Sequence, residues 1–306
     1  MIGTSIIRSG RLASPSDASF SLDDLDATNG YGCYETLKVR AGVLYFAAFH
    51  EERLLHSAKI LGIAHGINPG EVESALELLV RDNGIGECNV KVMMIGHEGR
   101  KADWYAFLLP PVVPAARSYT EGVSALLFRG ERQFPNAKSL SMLLSTVAYR
   151  LATSMGCYDA LLVNGRGQVT EGTRTNLFYV RAGDSTVAYT PPLADVLDGI
   201  TRRTLIEALA GIGVRTVERP LRVEEALGGG YGLMVSSTSS RVIPVSALRG
   251  PVAAATVGDA SSVYFSALAM PPEIDRVRAV YDSYLRHYAE RSEERRVGKE
   301  CRYRWS

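Results

Sequence analysis

The chain is poor in cysteine, with four among its 306 residues. No two of them have the paired spacing of a binding motif, and no histidine lies near one at the spacing of a metal ligand; they are Cys33, Cys88, Cys157 and Cys301. We therefore expect neither a disulfide framework nor a metal site. A reducing cytoplasm is the expected location, because disulfides persist mainly in oxidising compartments.

The chain also lacks an excess of charge and a long apolar run. Its 34 basic and 33 acidic residues leave a formal net charge of +1 with neutral histidines. The basic residues are scattered through most of the chain, which argues against nucleic acid as a partner. No apolar stretch has the length of a membrane span, and the N-terminus lacks the apolar stretch of a signal peptide. We therefore expect no membrane contact.

What the chain does contain is enough apolar material for a sizeable core. It is 46% hydrophobic, and 306 residues are typical of about two domains. Strand-like runs come in pairs without a regular βαβ alternation, which predicts an α+β fold. A proline-rich segment at 111–118 predicts a linker between a small N-terminal domain, 1–110, and a larger domain, 119–290.

The last sixteen residues, 291–306, differ from the rest of the chain. They carry six basic and three acidic residues and show no apolar periodicity. We interpret them as a disordered or non-native tail after a predicted C-terminal helix. A basic interaction tail is the alternative, which the mixed signs of charge disfavour.

The most informative feature is a lysine and a later glutamate. Lys138 precedes an apolar helix predicted over Ser139–Met155, and Glu171 ends a strand-like run in the segment TEGTRTNLF at 170–178. Chemistry with pyridoxal phosphate requires such a pair: an amine that holds the aldehyde as a Schiff base, and a carboxylate that keeps the pyridine nitrogen protonated. Taken singly, each has a plainer interpretation, a solvated lysine and a carboxylate in a turn.

The segment around Glu171 resembles the E-G-x-x-x-N-[LIV]-F signature of the fold-type-IV pyridoxal-phosphate enzymes. These include branched-chain aminotransferases, D-amino acid aminotransferases and aminodeoxychorismate lyases. The resemblance extends to about Tyr288, and its motifs follow the family's order. It implies pyridoxal 5'-phosphate as cofactor, Lys138 as the catalytic lysine, a small N-terminal α/β domain, a larger domain with a β-barrel-like core, and a homodimer.

The same resemblance implies a phosphate site. The run Gly199-Ile200-Thr201-Arg202 opens a predicted helix, where free backbone N–H groups favour an anion, and Ile200 and Thr201 match the family's phosphate-binding residues. A second loop follows later in the chain, in which Thr238 matches a phosphate-contacting threonine. Ser237 and Ser239 flank it. Arg53 falls on the arginine of the family's H-x-x-R-L motif, and a phosphate dianion favours a fixed guanidinium.

The resemblance favours a transaminase that moves an amino group between an amino acid and a keto acid by a ping-pong mechanism through the Lys138 Schiff base. The residues expected to contact substrate are Tyr34, Lys38, Lys91, Arg100 and Ser239. In the family, the loop that matches Arg100 reaches into the site of the partner subunit. Neither the amino acid nor its handedness follows from these residues.

Two alternatives stay open, and the first is an aminodeoxychorismate lyase instead of a transaminase. Branched-chain aminotransferases typically carry a tyrosine shortly after the Schiff-base lysine, and this chain has Met142-Leu143-Leu144 there. Lys91 and Gly99-Arg100 resemble positions of the aminodeoxychorismate lyases, which release pyruvate with the same lysine. The other alternative is a cofactor-binding protein without turnover, which the presence of both Lys138 and Glu171 disfavours.

Overall fold

In the computed structural model of the chain, residues 1–253 and 265–303 are described, and their strands form two sheets. The first sheet has the order β2-β1-β6-β5-β3-β4. Its strands are β1 Ile2–Arg8, β2 Arg11–Ala13, β3 Gly32–Arg40, β4 Val43–Leu44, β5 Cys88–His97 and β6 Arg100–Leu109. All of its pairings are antiparallel.

The second sheet contains ten strands and closes on itself. Its strands are β7 Val123–Arg129, β8 Asp159–Val163, β9 Gln168–Gly172, β10 Asn176–Arg181, β11 Val187–Thr190, β12 Arg215–Glu218, β13 Leu221–Arg222, β14 Tyr231–Ser237, β15 Arg241–Ala253 and β16 Phe265–Ala267. Six of them form a ring in the order β10-β14-β15-β7-β8-β9, because β9 also pairs with β10. Apolar side chains such as Leu127, Leu161 and Val235 fill one continuous core here.

Helices cover the two sheets. They are α1 Leu25–Thr28, α2 Ala47–Ile60, α3 Glu71–Asn83, α4 Arg117–Thr120, α5 Leu143–Ser154, α6 Ile200–Ala210, α7 Val223–Leu227 and α8 Glu273–Tyr303. In the first sheet, Leu54 of α2 and Leu79 of α3 share a core with Val90 and Val92 of β5. In the second, Leu205 of α6 packs in one core with residues of β10, β14 and α8.

This architecture confirms the predicted α+β fold and the barrel-like core of its second part. The first sheet is built from residues before the predicted linker, and the second from residues after it, with α4 beginning at Arg117 inside that segment. We propose domains that follow the two sheets, 1–110 and 119–290. None of the described helices combines the length and the hydropathy that crossing a bilayer requires.

The long helix α8 connects the two sheets. The backbone N–H of Phe46, which precedes α2, donates to Tyr288 Oη at 2.8 Å, and the two rings lie 4.1 Å apart between centroids. The helix then continues through the first part of the predicted tail to Tyr303, and residues 304–306 lie outside the described part. The disorder expected for that tail stays a prediction.

Candidate active site

Lys138 lies in an extended segment that joins the two sheets. The backbone N–H of Tyr34 in β3 donates to Lys138 O at 2.9 Å, and the N–H of Leu140 donates to Gly32 O at 2.8 Å. The N–H of Lys138 itself donates to Ser57 Oγ on α2 at 3.0 Å. Its Nζ lies 4.4 Å from the centroid of the Tyr34 ring. These backbone hydrogen bonds therefore fix the position from which the Lys138 side chain extends.

The helix predicted over Ser139–Met155 begins four residues later, at Leu143. The prediction was wrong at this end because residues 138–140 use their backbone groups to pair with β3, and a segment paired with a strand cannot also be helical. Lys138 is therefore held by a strand edge rather than by a helix terminus.

Glu171, at the end of β9, is buried and receives several donors. Its Oε1 accepts from Arg132 Nη1 at 3.0 Å, and its Oε2 accepts from the Leu197 N–H at 3.1 Å. Asn176 Nδ2 lies 3.5 Å from the same Oε2 and also donates to Leu197 O. Burial raises the pKa of Glu171, and the charge of Arg132, the N–H of Leu197 and the charge of Lys138 oppose this rise.

Arg53 is held by a buried carboxylate of the first sheet. Its Nε and Nη2 donate to the two oxygens of Glu35, both at 2.7 Å, and its Nη1 donates to Asp198 O at 3.0 Å. His50 Nδ1 lies 2.7 Å from the same carboxylate. Burial alone would raise the pKa of Glu35, but the charge of Arg53 and the hydrogen bonds of Arg53 and His50 bring it below the ordinary value. A guanidinium has five N–H donors, so two of those of Arg53 remain for a ligand.

The N-terminus of α6 faces Arg53. Gly199 precedes the helix in an extended conformation, and no side chain caps the first turn. The N–H groups of the first helical residues are therefore not used within the helix, and the helix dipole points its positive end the same way. A Cβ at Gly199 would lie 1.9 Å from Asn176 Oδ1, so the chain approaches β10 closely at this residue. Arg53 and this helix end together offer N–H donors for an anion.

The loop between β14 and β15 completes the site. The hydroxyl groups of Ser237 and Ser240 are hydrogen-bonded across the turn of this loop, with their oxygens 2.7 Å apart. Ser236, just before the loop, is buried, and its Oγ has no partner among the described residues. Because a buried hydroxyl without a partner is costly, this oxygen indicates that the cavity takes a polar ligand.

One cavity brings most of the predicted residues together. It is lined by eight of the predicted residues, Tyr34, Arg53, Lys138, Glu171, Ile200, Thr201, Ser237 and Thr238. An amine, a buried carboxylate and an anion site around one cavity match the three parts of pyridoxal phosphate: aldehyde, ring nitrogen and phosphate. The residues present therefore fit that cofactor.

The other predicted substrate residues lie outside this cavity. Lys91 is nearby, with its Nζ 5.3 Å from the centroid of the Tyr34 ring. Lys38 is buried beside Tyr45, and burial together with the charges of Arg241 and Arg40 lowers its pKa to about 8. Ser239 is in the loop between β14 and β15, but it does not line the cavity.

Arg100 differs most from its predicted place. The sequence indicates a loop at this residue, whereas the structure makes it the first residue of β6, after a two-residue turn at Glu98 and Gly99. Gly99 has a φ of +70°, which such turns favour. Arg100 is exposed and its Nη1 lies 2.9 Å from Asp103 Oδ2, so it does not reach the cavity of its own chain.

Several residues of the cavity did not emerge from the sequence as site residues. Arg132 bonds both Glu171 and the backbone oxygen of Ala137, directly before Lys138. Arg174 and Asn176 belong to the segment that resembles the family signature, and both line the cavity. Their place in that segment could have identified them as site residues. The sequence leaves the role of Arg132 open, because its partner lies 39 residues away in sequence.

Comparison with known proteins agrees with this geometry. The D-alanine aminotransferase of Bacillus licheniformis is 28% identical over 255 residues, which cover 80% of this chain and 88% of that protein. The D-alanine aminotransferase of Staphylococcus aureus (strain MSSA476) is 30% identical over 268 residues, 83% of this chain and 92% of that protein.

Two solved structures share the fold. The branched-chain aminotransferase of Thermoproteus uzoniensis with norvaline superposes with a TM-score of 0.78 at 23% identity, covering 92% of this chain and 94% of that one. A hypothetical aminotransferase of Mycobacterium tuberculosis, with α-ketoglutarate and PMP bound, gives 0.74 at 24% identity, covering 92% and 98%. The model of the amino-transferase class IV family matches residues 32–248, so the chain belongs to the class IV aminotransferases.

Proposed function

We propose that the chain is a pyridoxal-phosphate-dependent transaminase that moves an amino group between an amino acid and a keto acid in two half-reactions. The observation that carries this proposal is the placement of Lys138 and Glu171 around one cavity with the open N-terminus of α6. The family and its D-alanine and branched-chain relatives support the same reaction type. When bound, the cofactor supplies an aldehyde that joins amines and a ring that absorbs electrons from the substrate α-carbon.

Each residue of the site has a separate task in this proposal. Arg53, the first N–H groups of α6 and the loop at Thr238 would hold the phosphate. Glu171 would accept a hydrogen bond from the ring nitrogen and keep it protonated, while the charge of Arg132 opposes the rise that burial causes in the pKa of Glu171. Lys138 Nζ would hold the cofactor between turnovers. As a free amine it would take the proton from the substrate α-carbon and return it to the cofactor, as general base and acid.

The test is an absorbance spectrum of the purified protein with added pyridoxal phosphate. We expect a visible band from the lysine-bound cofactor, absent in Lys138→Ala and present in the control Lys59→Ala, where an exposed lysine of α2 is removed. L- and D-amino acids are then added one at a time. We expect one of them to bleach the band and a keto acid to restore it. A protein without any band under these conditions contradicts the proposal.

The lyase stays the second candidate, since the tyrosine of the branched-chain aminotransferases after the lysine is replaced by Leu143, and Lys91 lies near the Tyr34 ring. It would give the visible band without a lasting bleached form, and pyruvate would accumulate from aminodeoxychorismate. The same spectrum therefore separates the two reactions. A homodimer, a cytoplasmic location and the lack of nucleic-acid or membrane partners stay predictions.

A further inference from the structure

Tyr281, in the long helix α8, has a buried hydroxyl group that bonds a helix of the cavity. The residue is 2% exposed, and its ring packs in one core with Leu205 and Leu209 of α6. Its Oη lies 3.0 Å from Oγ1 of Thr204, which is also in α6. The ring of a phenylalanine would fill the same apolar volume, so packing alone does not require the hydroxyl group. Its partner belongs to the helix whose N-terminus faces Arg53.

The hydroxyl group of Thr204 connects this bond to the first residue of α6. Thr204 Oγ1 donates to Ile200 O at 2.8 Å, since a carbonyl oxygen can only accept. A threonine has one O–H, and its hydrogen is used in that bond, so Tyr281 is the donor to Thr204. The result is a chain of two hydrogen bonds, from the phenol of α8 through a fully buried hydroxyl group to the carbonyl group of Ile200.

The carbonyl group of Ile200 and the N–H of Thr201 belong to one peptide group, and both residues line the cavity. A peptide group is planar and trans, so its C=O and its N–H point in opposite directions. Ile200 O points along α6 toward Thr204, and the Thr201 N–H therefore points out of the N-terminus of the helix. A bond that fixes the oxygen of this peptide group also fixes the direction of its N–H.

Two further contacts of α8 lie beside the other segments that are expected to hold the phosphate. Tyr288 Oη accepts from the backbone N–H of Phe46, which precedes α2, the helix of Arg53. Asp282 pairs with Arg241 at 2.9 Å, and Arg241 is the first residue after the loop between β14 and β15. Helix α8 is therefore bonded to α6, to the start of α2 and to the end of that loop.

We infer that Tyr281 is a positioning residue of the phosphate site: through Thr204 it fixes the peptide group between Ile200 and Thr201, and it thereby directs the Thr201 N–H at the phosphate. The inference rests on the cofactor of the proposed function. Tyr281 does not line the cavity, so it acts on the phosphate only through α6. Burial raises the pKa of Tyr281, so the phenol keeps the proton that it donates. The plainer interpretation is a pair of hydroxyl groups that only satisfy each other within the core.

The first test compares two ligands that differ only by the phosphate. Pyridoxal 5'-phosphate and pyridoxal have the same ring and aldehyde, so only the first one depends on the phosphate site. The full chain, freed of cofactor, is titrated with each ligand and followed by the visible band. Tyr281→Phe should bind pyridoxal phosphate about tenfold more weakly and pyridoxal as the wild type does. The matched control is Tyr284→Phe, which removes a hydroxyl group of the same helix that is bonded to Glu207 and should bind both ligands normally.

The second test removes the middle of the hydrogen-bonded chain. Thr204→Val keeps the shape of the side chain without its hydroxyl group, and it should weaken the binding of pyridoxal phosphate by a similar factor. The double variant with Tyr281→Phe should bind no more weakly than either single variant, because the two hydroxyl groups act in one chain. The phosphorus-31 resonance of bound pyridoxal phosphate should shift in Tyr281→Phe and stay in place in Tyr284→Phe.

The outcomes separate this inference from the proposed function. If the wild type transaminates but Tyr281→Phe weakens both ligands equally, or neither of them, the inference is overturned and the proposed function stands. If Tyr281→Phe weakens only the ligand with the phosphate but the wild type moves no amino group, the positioning role stands and the transamination is overturned.

Discussion

Arg53 and Glu35 form a buried ion pair with two N···O distances of 2.7 Å, and Glu35 is only 1% exposed. Glu35 neighbours Tyr34 in β3, whereas Arg53 points from α2 toward the N-terminus of α6. The pair therefore holds the Arg53 guanidinium, which extends from a helix of the first sheet, beside the N-terminus of α6, which packs on the second sheet. A buried guanidinium whose orientation is fixed in this way is ready for a phosphate before the ligand arrives.

The first prediction concerns Glu35→Gln. It keeps the shape of the side chain but leaves the Arg53 charge buried without a counter-ion, so we expect the free energy of unfolding to fall by about 3 kcal/mol. The affinity for pyridoxal phosphate should fall about tenfold because Arg53 is less well oriented. Urea unfolding and a cofactor titration measure the two effects.

The control for this variant is Glu52→Gln, which breaks the exposed pair with Arg203. Surface pairs contribute at most about 1 kcal/mol, so this variant should unfold much like the wild type and bind the cofactor normally. If Glu35→Gln and Glu52→Gln had the same free energy of unfolding and the same cofactor affinity, the Arg53–Glu35 pair would not orient the guanidinium.

The second prediction concerns the pH dependence of stability and His50. Burial lowers the pKa of His50 below its ordinary 6.5, so below pH 6.5 the unfolded chain binds more protons at this imidazole than the folded chain does. Stability is therefore lost as the pH falls below 6.5. From about pH 6.5 to about pH 5.5 the loss due to this group should be at most about 1 kcal/mol.

Urea unfolding across this pH range measures the slope. His50→Gln should flatten it by that amount, whatever its effect on absolute stability. His56→Gln is the matched control, since His56 is an exposed residue of the same helix and its removal should leave the slope unchanged. A wild-type slope that persists in His50→Gln would refute the assignment.

The third prediction concerns Arg132→Gln. The Arg132 charge opposes the rise that burial causes in the pKa of Glu171, so without it that pKa should rise further. The acidic limb of the kcat/KM profile should then move to higher pH. Arg129→Gln, an exposed arginine at the end of β7, serves as control and should keep the wild-type profile. A profile of Arg132→Gln that coincides with the wild type would exclude this role.

The fourth prediction concerns Gly199→Ala. The added Cβ would meet Asn176 Oδ1 at 1.9 Å and push away the amide that holds Leu197. We expect cofactor affinity to fall about tenfold or more, because the anion site is displaced together with the donor to Glu171. Gly211→Ala, at the other end of α6, places its Cβ no closer than 3.4 Å to a neighbour and should bind the cofactor normally. Equal titrations of both variants would contradict the close packing.

The sequence was sufficient for those parts of the site that lie in short contiguous segments. Glu171, the Ile200–Thr201 helix start and the loop at Thr238 each carry a local pattern, and the structure brings them to one cavity with Lys138. The α+β class followed from paired strands because antiparallel neighbours are joined by short turns. The closure of six strands into a ring was predicted only through the family resemblance, which implied a barrel-like core, since β9 and β10 pair around a turn whose residues give no such signal.

The remaining parts depend on contacts between distant segments. Ser57 supports Lys138 over 81 residues, and Glu35 holds Arg53 across two elements. The start of α5 was misplaced for the same reason, because the pairing of residues 138–140 with β3 overrides the helical tendency of the local sequence. The directions of Lys38 and Arg100 depend on Tyr45 and Asp103, which no motif connects to them.

The pairing of residues 138–140 with β3 also has a consequence for folding. Lys138 belongs in sequence to one half of the molecule, but its backbone is held by β3 and by Ser57 of the other half. Neither half expressed alone would hold the amine in place, so the active site is assembled only when the halves dock. Recovery of cofactor binding during refolding should therefore report the docking of the two halves.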